Sequence, residues 1–328
     1  MQDTQKNISN RIKQLALEEG FNSCGFTPAV PLSEDSIRLR KWLDRGLHAG
    51  MRYMENHFEK RTNPSLLEPG TKSVIVVTLN YFNGTEEEEQ DSYILSKYAR
   101  GRDYHKVMKK MLNKLLARIH SEIVPVQGRA FTDSAPVLER SLAARAGLGW
   151  IGKNSNLISP AGGSFFFIGE LFVDIELDYG KLLPDRCGGC TKCIQACPTQ
   201  AITEPGVIDS RRCISYWTIE HKGEIDPSLT GKFRNRIFGC DICQEVCPWN
   251  KKSATNKVDD FKPAAWLTGM TKDDWQKLTE EKFGELFTGT AVMRAKYEGL
   301  IRNIRFVSDE NSKTQITTEL ASSPKVIF

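Results

Sequence analysis

Eight of the nine cysteines in this chain fall between Cys187 and Cys247, and their spacing constrains the fold more than any other feature. The first run reads Cys187-Gly-Gly-Cys190-Thr-Lys-Cys193-Ile-Gln-Ala-Cys197-Pro198. This is C-x2-C-x2-C-x3-C-P, the pattern with which bacterial ferredoxins hold [4Fe–4S] clusters. The second run reads Cys240-Asp-Ile-Cys243-Gln-Glu-Val-Cys247-Pro248, with Cys213 between the two. Three closely spaced thiolates reach three irons of one cube, and the cysteine before proline turns to the other cube. The crossover puts Cys187, Cys190, Cys193 and Cys247 on one cluster, and Cys197, Cys213, Cys240 and Cys243 on a second. Four-thiolate zinc sites are the alternative, but zinc ribbons built on C-x2-C pairs have no reason for the triple spacing. The ninth cysteine, Cys24, sits in a predicted strand or turn over 21–26 and reads as a small buried hydrophobe.

Clustered cysteines read as metal ligands where thiols stay reduced. The polar start Met1–Asn7 lacks a secretory apolar region, and the longest apolar stretches, near Val74–Leu79 and Phe165–Phe172, are too short to span a membrane. A cytoplasmic protein is expected, with no membrane partner and as a monomer. The 328 residues exceed one ordinary core and suggest more than one domain. The net charge of +4 neither demands nor excludes nucleic acid, since binding follows local clusters. The acidic run Glu86–Glu89 reads as a solvated loop.

Helical spacing is expected over 8–19, from Ser33, over His105–Ile123, and from Pro136 to a stop at Gly147. Strands are expected at Ser73–Leu79, Val124–Phe131, Ser155–Ser159 and Ser164–Leu177. This alternation predicts an α/β (α+β) domain over 1–180. A ferredoxin-like two-cluster domain follows over 181–255, then a C-terminal helical segment with a polar tail over 256–328. Two clusters form an electron wire, so the first domain is expected to bind a second cofactor. Gly147-Leu148-Gly149-Trp150-Ile151-Gly152 matches G-x-G-x-x-G, but it follows a predicted helix instead of a strand and does not support a dinucleotide site.

Several long segments resemble the epoxyqueuosine reductase family. They are Tyr98–His105, Asp133–Arg140, Gly147–Asn154, Cys213–Gly223 and Phe238–Asn250, in order along residues 8–306. The resemblance implies a cofactor layout similar to that of reductive dehalogenases: a base-off cobalamin in the first domain, reduced through two [4Fe–4S] clusters by an external low-potential electron donor. It implies reduction of epoxyqueuosine to queuosine at the wobble position of tRNA, the anticodon stem-loop being the partner. The net change is epoxide plus two electrons and two protons to alkene plus water. Opening an epoxide leaves an alkoxide, so an acid is needed beside it, and the resemblance assigns that role to Asp133. Read by itself, Asp133 fits a helix N-cap instead. As an acid it requires a pKa well above the usual ~3.9, which burial against a corrin could supply.

The resemblance also places Lys153, Asn154, Ser155 and Asn156 beside the corrin side chains, with Arg61, Asp103 and Tyr104 as further contacts. Ser215, Tyr216 and His221 are expected between the second cluster and the corrin. Lys232, Arg234, Arg236, Lys251, Lys252, Arg294, Lys296, Arg302 and Arg305 could grip phosphate, with Trp249, Tyr216 and Trp217 available for stacking. The stretch Thr290–Asn303 resembles the start of the HEAT-like helical repeats that longer members continue. Two rival functions share parts of this pattern: a corrinoid reductase of a small organic substrate, and a non-catalytic two-cluster electron carrier.

Overall fold

The computed structural model describes residues 2–84 and 91–308. The acidic run Glu86–Glu89 and the polar tail after residue 308 lie outside the described residues. Among the described residues no helix is long and apolar enough to cross a membrane.

The first half of the chain is built on strands β1 (Ser23–Pro28), β2 (Ser73–Asn80), β3 (Gly128–Phe131) and β4 (Phe166–Val173). Their order is β1-β2-β4-β3, and every pairing is antiparallel. Helices and strands do alternate, as the sequence suggests, but alternation alone does not fix strand direction. The lobe is therefore the α+β form of the predicted class. Helices α1 (Gln2–Glu18) and α3 (Tyr104–Glu122) cover one face; α2 (Ser33–Asp44) and α4 (Glu139–Arg145) follow β1 and β3 in the chain.

Helix α3 buries Met108, Leu112, Leu115 and Ile119, spaced as one helical stripe. They meet Ile75, Val77, Leu171 and Val173, which alternate along the strands. The opposite residues, Val74, Val76, Phe131 and Phe172, pack with Leu142, Ala143 and Ala144 of α4. Gly169 lets α3 approach the sheet: a Cβ there would stand 2.7 Å from Met108 Cε and 2.9 Å from Leu112 Cδ1. Gly169→Ala is expected to lower stability by about 1–3 kcal/mol through overpacking, read from urea unfolding.

Two boundaries differ from the sequence reading. Helix α4 starts at Glu139, three residues after Pro136, while Gly147 at φ +81° does end it. The strand expected from Val124 pairs only over Gly128–Phe131. Gly149 belongs to a hairpin, Trp150–Ile151 against Leu157–Ile158, where a Cβ would meet Ile158 O at 2.3 Å. That glycine serves backbone packing and makes no phosphate loop.

The second half has its own core: Ile214, Phe233, Ile237, Phe238, Trp275, Phe283, Phe287 and Leu300 among others. Tyr93, Leu95 and Ala99 also belong to it, and Ile94–Leu95 pairs in parallel with Arg236–Phe238. A short piece of the first half is thus woven into the second, across the expected boundary at residue 180. The C-terminal part carries short helices at Lys272–Gln276 and Glu280–Phe287, then a longer one over 296–308.

Candidate active site and iron–sulfur cradle

The eight clustered thiols gather into two groups. Cys193 feels the charge of Cys187 and Cys247, and Cys247 that of Cys187 and Cys190. Cys243 feels Cys240, Cys213 and Cys197. The short helices Lys192–Ala196 and Ile242–Glu245, one from each run, pack on each other and bring the runs together. The first group lines a cavity of about 150 Å³ with Lys153, Arg186, Lys192 and Trp249.

The geometry suits cubes. Among the described residues no three Cys, His, Asp or Glu side chains close around a single ion. A zinc tetrahedron needs sulfurs only ~3.8 Å apart, whereas a cube spreads its ligands across four irons. Backbone N–H groups also aim at sulfur: those of Ser215 and Tyr216 at Cys213, Ile242 at Cys240, and Trp249 and Asn250 at Cys247. Burial pushes these thiols up, that of Cys240 to about 12, so an unligated cluster of thiolates would be costly. Such amides stabilise sulfur charge once metal is bound. Cys24 has a different environment, half-buried on β1 against the first core, where desolvation raises its thiol to about 12.

The loop after Gly152 ties both runs down. Lys153 Nζ donates to the carbonyls of Gly188 (2.6 Å) and Cys190 (3.0 Å), and Asn154 Nδ2 donates to Cys243 O at 3.2 Å. Ser155 Oγ donates to Gly206 O. The donors of Lys153, Asn154 and Ser155 are thus engaged with protein carbonyls; Asn156 is half-buried beside them.

Asp133 follows β3 and takes φ +51°, a left-handed conformation that is uncommon for a residue other than glycine. It is not a helix cap: α4 starts six residues later, and its N-cap, Leu138, makes no side-chain cap bond. The carboxylate of Glu139, in the first turn of α4, instead reaches back and accepts the Asp133 N–H. Asp133 Oδ2 accepts from the Tyr104 hydroxyl and lies 3.2 Å from His105 Nε2. Asp103 caps α3 by accepting the His105 N–H at 3.1 Å, and its Oδ1 also lies 2.7 Å from His105 Nδ1. One cap residue therefore starts the helix and aims the imidazole. Tyr104 is held flat against Phe167, ring centroids 4.2 Å apart.

The electrostatics overturn the expected pKa of Asp133. Desolvation does push its carboxyl up, but the hydrogen bonds from His105 and Tyr104, with the charges of His105 and Arg140, outweigh it and leave it below the ordinary value. Burial likewise pulls His105 down, yet its bonds to Asp133 and Asp103 leave it raised. Both shifts favour imidazolium beside carboxylate. The Asp133 side chain is 56% exposed, so its carboxylate is open to solvent.

Tyr53 and the Arg294–Glu220 pair (2.9 Å) share fields with Asp133. Arg61 is buried, donates to Tyr53 O at 2.9 Å, and keeps its Nε without a partner. Tyr98 feels both Asp133 and Asp241, and Asp241 in turn acts on the Cys243 thiol.

Other expected site residues do structural work. Tyr216 OH accepts from Gly50 N at 2.9 Å, linking the two halves, and Ser215 bonds the Cys213 thiol. His221 Nε2 lies 2.9 Å from Glu224 O, its ring against Trp217, and burial holds its pKa down. Three residues expected to grip phosphate have protein partners, Arg294 being paired with Glu220. Arg302 donates to the carbonyls of His221, Gly223 and Trp217, and Arg236 is buried with Glu245. Lys232, Arg234, Lys251, Lys252, Lys296 and Arg305 are exposed. His105, Glu139 and Glu170 are the site groups that the sequence reading passed over. His105 had a signal, since it stands two residues after a capping aspartate.

A fold of this kind, with paired thiol groups and a held carboxylate, defines an iron–sulfur oxidoreductase. Residues 186–250 match the family model described as 4Fe-4S double cluster binding domain, and 61–134 match Epoxyqueuosine reductase QueG, DUF1730. The chain is 50% identical over 306 residues to the epoxyqueuosine reductase of Cellulophaga algicola, covering 93% of this chain and 99% of the relative. It is 43% identical to that of Escherichia coli, covering 90% and 79%. Its structure is similar to an epoxyqueuosine reductase crystallised with an epoxyqueuosine-modified tRNA-Tyr stem loop, at TM-score 0.87 and 27% identity over 96% of this chain and 84% of that one. It is also similar to the Bacillus subtilis enzyme with its catalytic aspartate loop swung out of the active site, at TM-score 0.86 and 27% identity over 97% and 86%. The chain belongs to the epoxyqueuosine reductase family.

Proposed function

We propose that the chain reduces the epoxide of epoxyqueuosine in the tRNA anticodon loop to the alkene of queuosine, with the modified base entering the cleft at Asp133. The observation that carries this reading is the Asp133 carboxylate, partly exposed and held by Tyr104 and His105, in a chain that also gathers its eight clustered thiols. Cys187, Cys190, Cys193 and Cys247 ligate the outer [4Fe–4S] cluster; Cys197, Cys213, Cys240 and Cys243 ligate the inner one. The clusters, fed by an external low-potential carrier, and a base-off cobalamin in the cleft supply the electrons and the strong nucleophile that epoxide opening needs.

The rest is done by side chains of this chain. Asp133 delivers a proton to the epoxide oxygen, and His105, aimed by Asp103, and Tyr104 hold its carboxylate in place. Arg61, with a free buried Nε, Tyr104 and Asn156 are left to touch the corrinoid. Lys153, Asn154, Ser155, Ser215, Tyr216 and His221 act at one remove by fixing the loops around both clusters. Exposed Lys232, Arg234, Lys251, Lys252, Lys296 and Arg305 take the phosphates. We assign cofactor binding to 1–180, electron transfer to 181–255 and RNA support to 256–328, in a cytoplasmic monomer.

The test uses anaerobically reconstituted protein. It is expected to show cubane absorption, to bind added cobalamin base-off, and to convert an epoxyqueuosine-bearing stem-loop to a nucleoside lighter by one oxygen under a strong one-electron reductant. Cubane absorption without corrinoid binding would leave only an electron carrier. Corrinoid binding without conversion of the RNA would leave a reductase of some other substrate.

A further inference from the structure

Behind Asp133 lie two carboxyl groups that the reaction as described leaves unused. Glu170 sits in the middle of β4 with 0% exposure, and neither of its oxygens has a hydrogen-bond partner. It is opposite Phe131 of β3, two residues before Asp133, and opposite Val76 of β2. Glu139 acts on both: it accepts the Asp133 N–H and feels the charge of Asp133, and its own charge acts on Glu170. A buried carboxylate without partners is costly, so Glu170 is a neutral acid.

We propose that Glu139 is the positioning residue of Asp133 and its proton store: it latches the left-handed backbone of Asp133 and carries the proton that Asp133 hands to the opened epoxide. The inference rests on Asp133 being the acid. Its logic is charge crowding. Asp133 is held as an anion by His105 and Tyr104, so a second negative carboxyl beside it is disfavoured. The proton that Asp133 lacks resides on its neighbour, and the two titrate as a pair.

The groups facing Glu139 are Asp133 from the loop after β3, Glu170 from β4, Arg140 from its own helix and His105 from α3. Tyr104 of α3 also feels Glu139; the other elements packed on α4 are β1 and β2, whose one ionisable side chain is Cys24, and the 150–158 hairpin, whose Lys153 is bonded to the carbonyls of Gly188 and Cys190. Desolvation first, then the charge of Asp133, pushes Glu139 up to about 8. The store is therefore filled at neutral pH and empties as pH rises through that value. In the balance, one proton passes from Glu139 through Asp133 to oxygen as the first C–O bond breaks. Solvent refills Glu139, a second proton follows the same route to that oxygen as the second C–O bond breaks and it leaves as water, and the two electrons come from the external donor.

The test is Glu139→Gln, which keeps an acceptor for the Asp133 N–H but holds no transferable proton. Expected are a kcat about 10²-fold lower at neutral pH, an unchanged KM for the stem-loop, and loss of the alkaline fall near pH 8. Glu139→Asp should restore part of the rate. In the apoprotein, the infrared carbonyl band of a protonated carboxyl that titrates near pH 8 should vanish in Glu139→Gln. A Glu139→Gln enzyme with wild-type rate and pH profile, or an infrared band that persists in it, overturns the store. If Asp133→Asn is inactive while Glu139→Gln is not, only the store fails; if Asp133→Asn stays active, the assignment of the acid fails first.

Discussion

Asp133→Asn is expected to lower turnover by about 10²–10⁴-fold while both clusters and the corrinoid stay bound. The size follows from what the substitution removes. The amide is isosteric and can still accept from Tyr104 and His105, so the loop geometry survives. What is lost is a group able to pass a proton to a developing alkoxide. Cubane absorption and the base-off corrinoid spectrum should match wild type, and only formation of the deoxygenated nucleoside should fall. Near-normal turnover in this variant would remove Asp133 from the chemistry.

Cys243→Ser is expected to cut the iron content to about half and to abolish turnover. The reasoning runs through position. Its thiol lies within the fields of Cys240, Cys213 and Cys197, and burial holds it well above the ordinary thiol range. A serine there supplies a hard, protonated ligand in place of a soft thiolate. On the proposed ligation the wire runs through both clusters, so loss of the inner one breaks the electron route even if the outer cluster assembles. Iron analysis with electron paramagnetic resonance of the reduced protein measures this. Two intact clusters in Cys243→Ser would refute the ligand assignment. Because ligation energy is also folding energy, the variant should unfold at lower denaturant concentration as well.

The cysteine runs were legible because metal chemistry imposes a spacing that survives without any knowledge of the fold. Their pairing across fifty residues is expected from the same rule, and the charge effects among Cys187, Cys190, Cys193 and Cys247, and among Cys197, Cys213, Cys240 and Cys243, are compatible with it. The Asp133 site was legible only through resemblance. By local pattern, Asp-Ser-Ala-Pro is a good cap, yet the helix begins at Glu139 and the reach-back bond runs the other way. A one-sequence reading of caps cannot see a partner that the next turn supplies.

Glu170 was hidden for a different reason. In Phe165–Phe172 it looks like a polar break in an apolar run, and only strand pairing shows both of its oxygens sealed inside. Arg302 and Arg236 read as phosphate ligands because sequence shows charge and not its partners. Three backbone carbonyls occupy Arg302, and Arg236 is buried against Glu245. Strand direction was beyond reach as well, since alternating elements fit either a parallel or an antiparallel sheet.

The crossed thiol groups also set a timetable for the ribosome. The inner group lacks a member until Cys243 has been made, and the outer group until Cys247, so the two become complete within five residues of each other. The piece at Ile94–Leu95 likewise waits for its partner strand at Arg236–Phe238. At synthesis rates of roughly 5–20 residues per second, the nascent chain carries its first thiols with an incomplete set for several seconds. On the proposed ligation, complete metal binding waits until Cys247 has been made, and truncated products ending before residue 243 should hold neither centre.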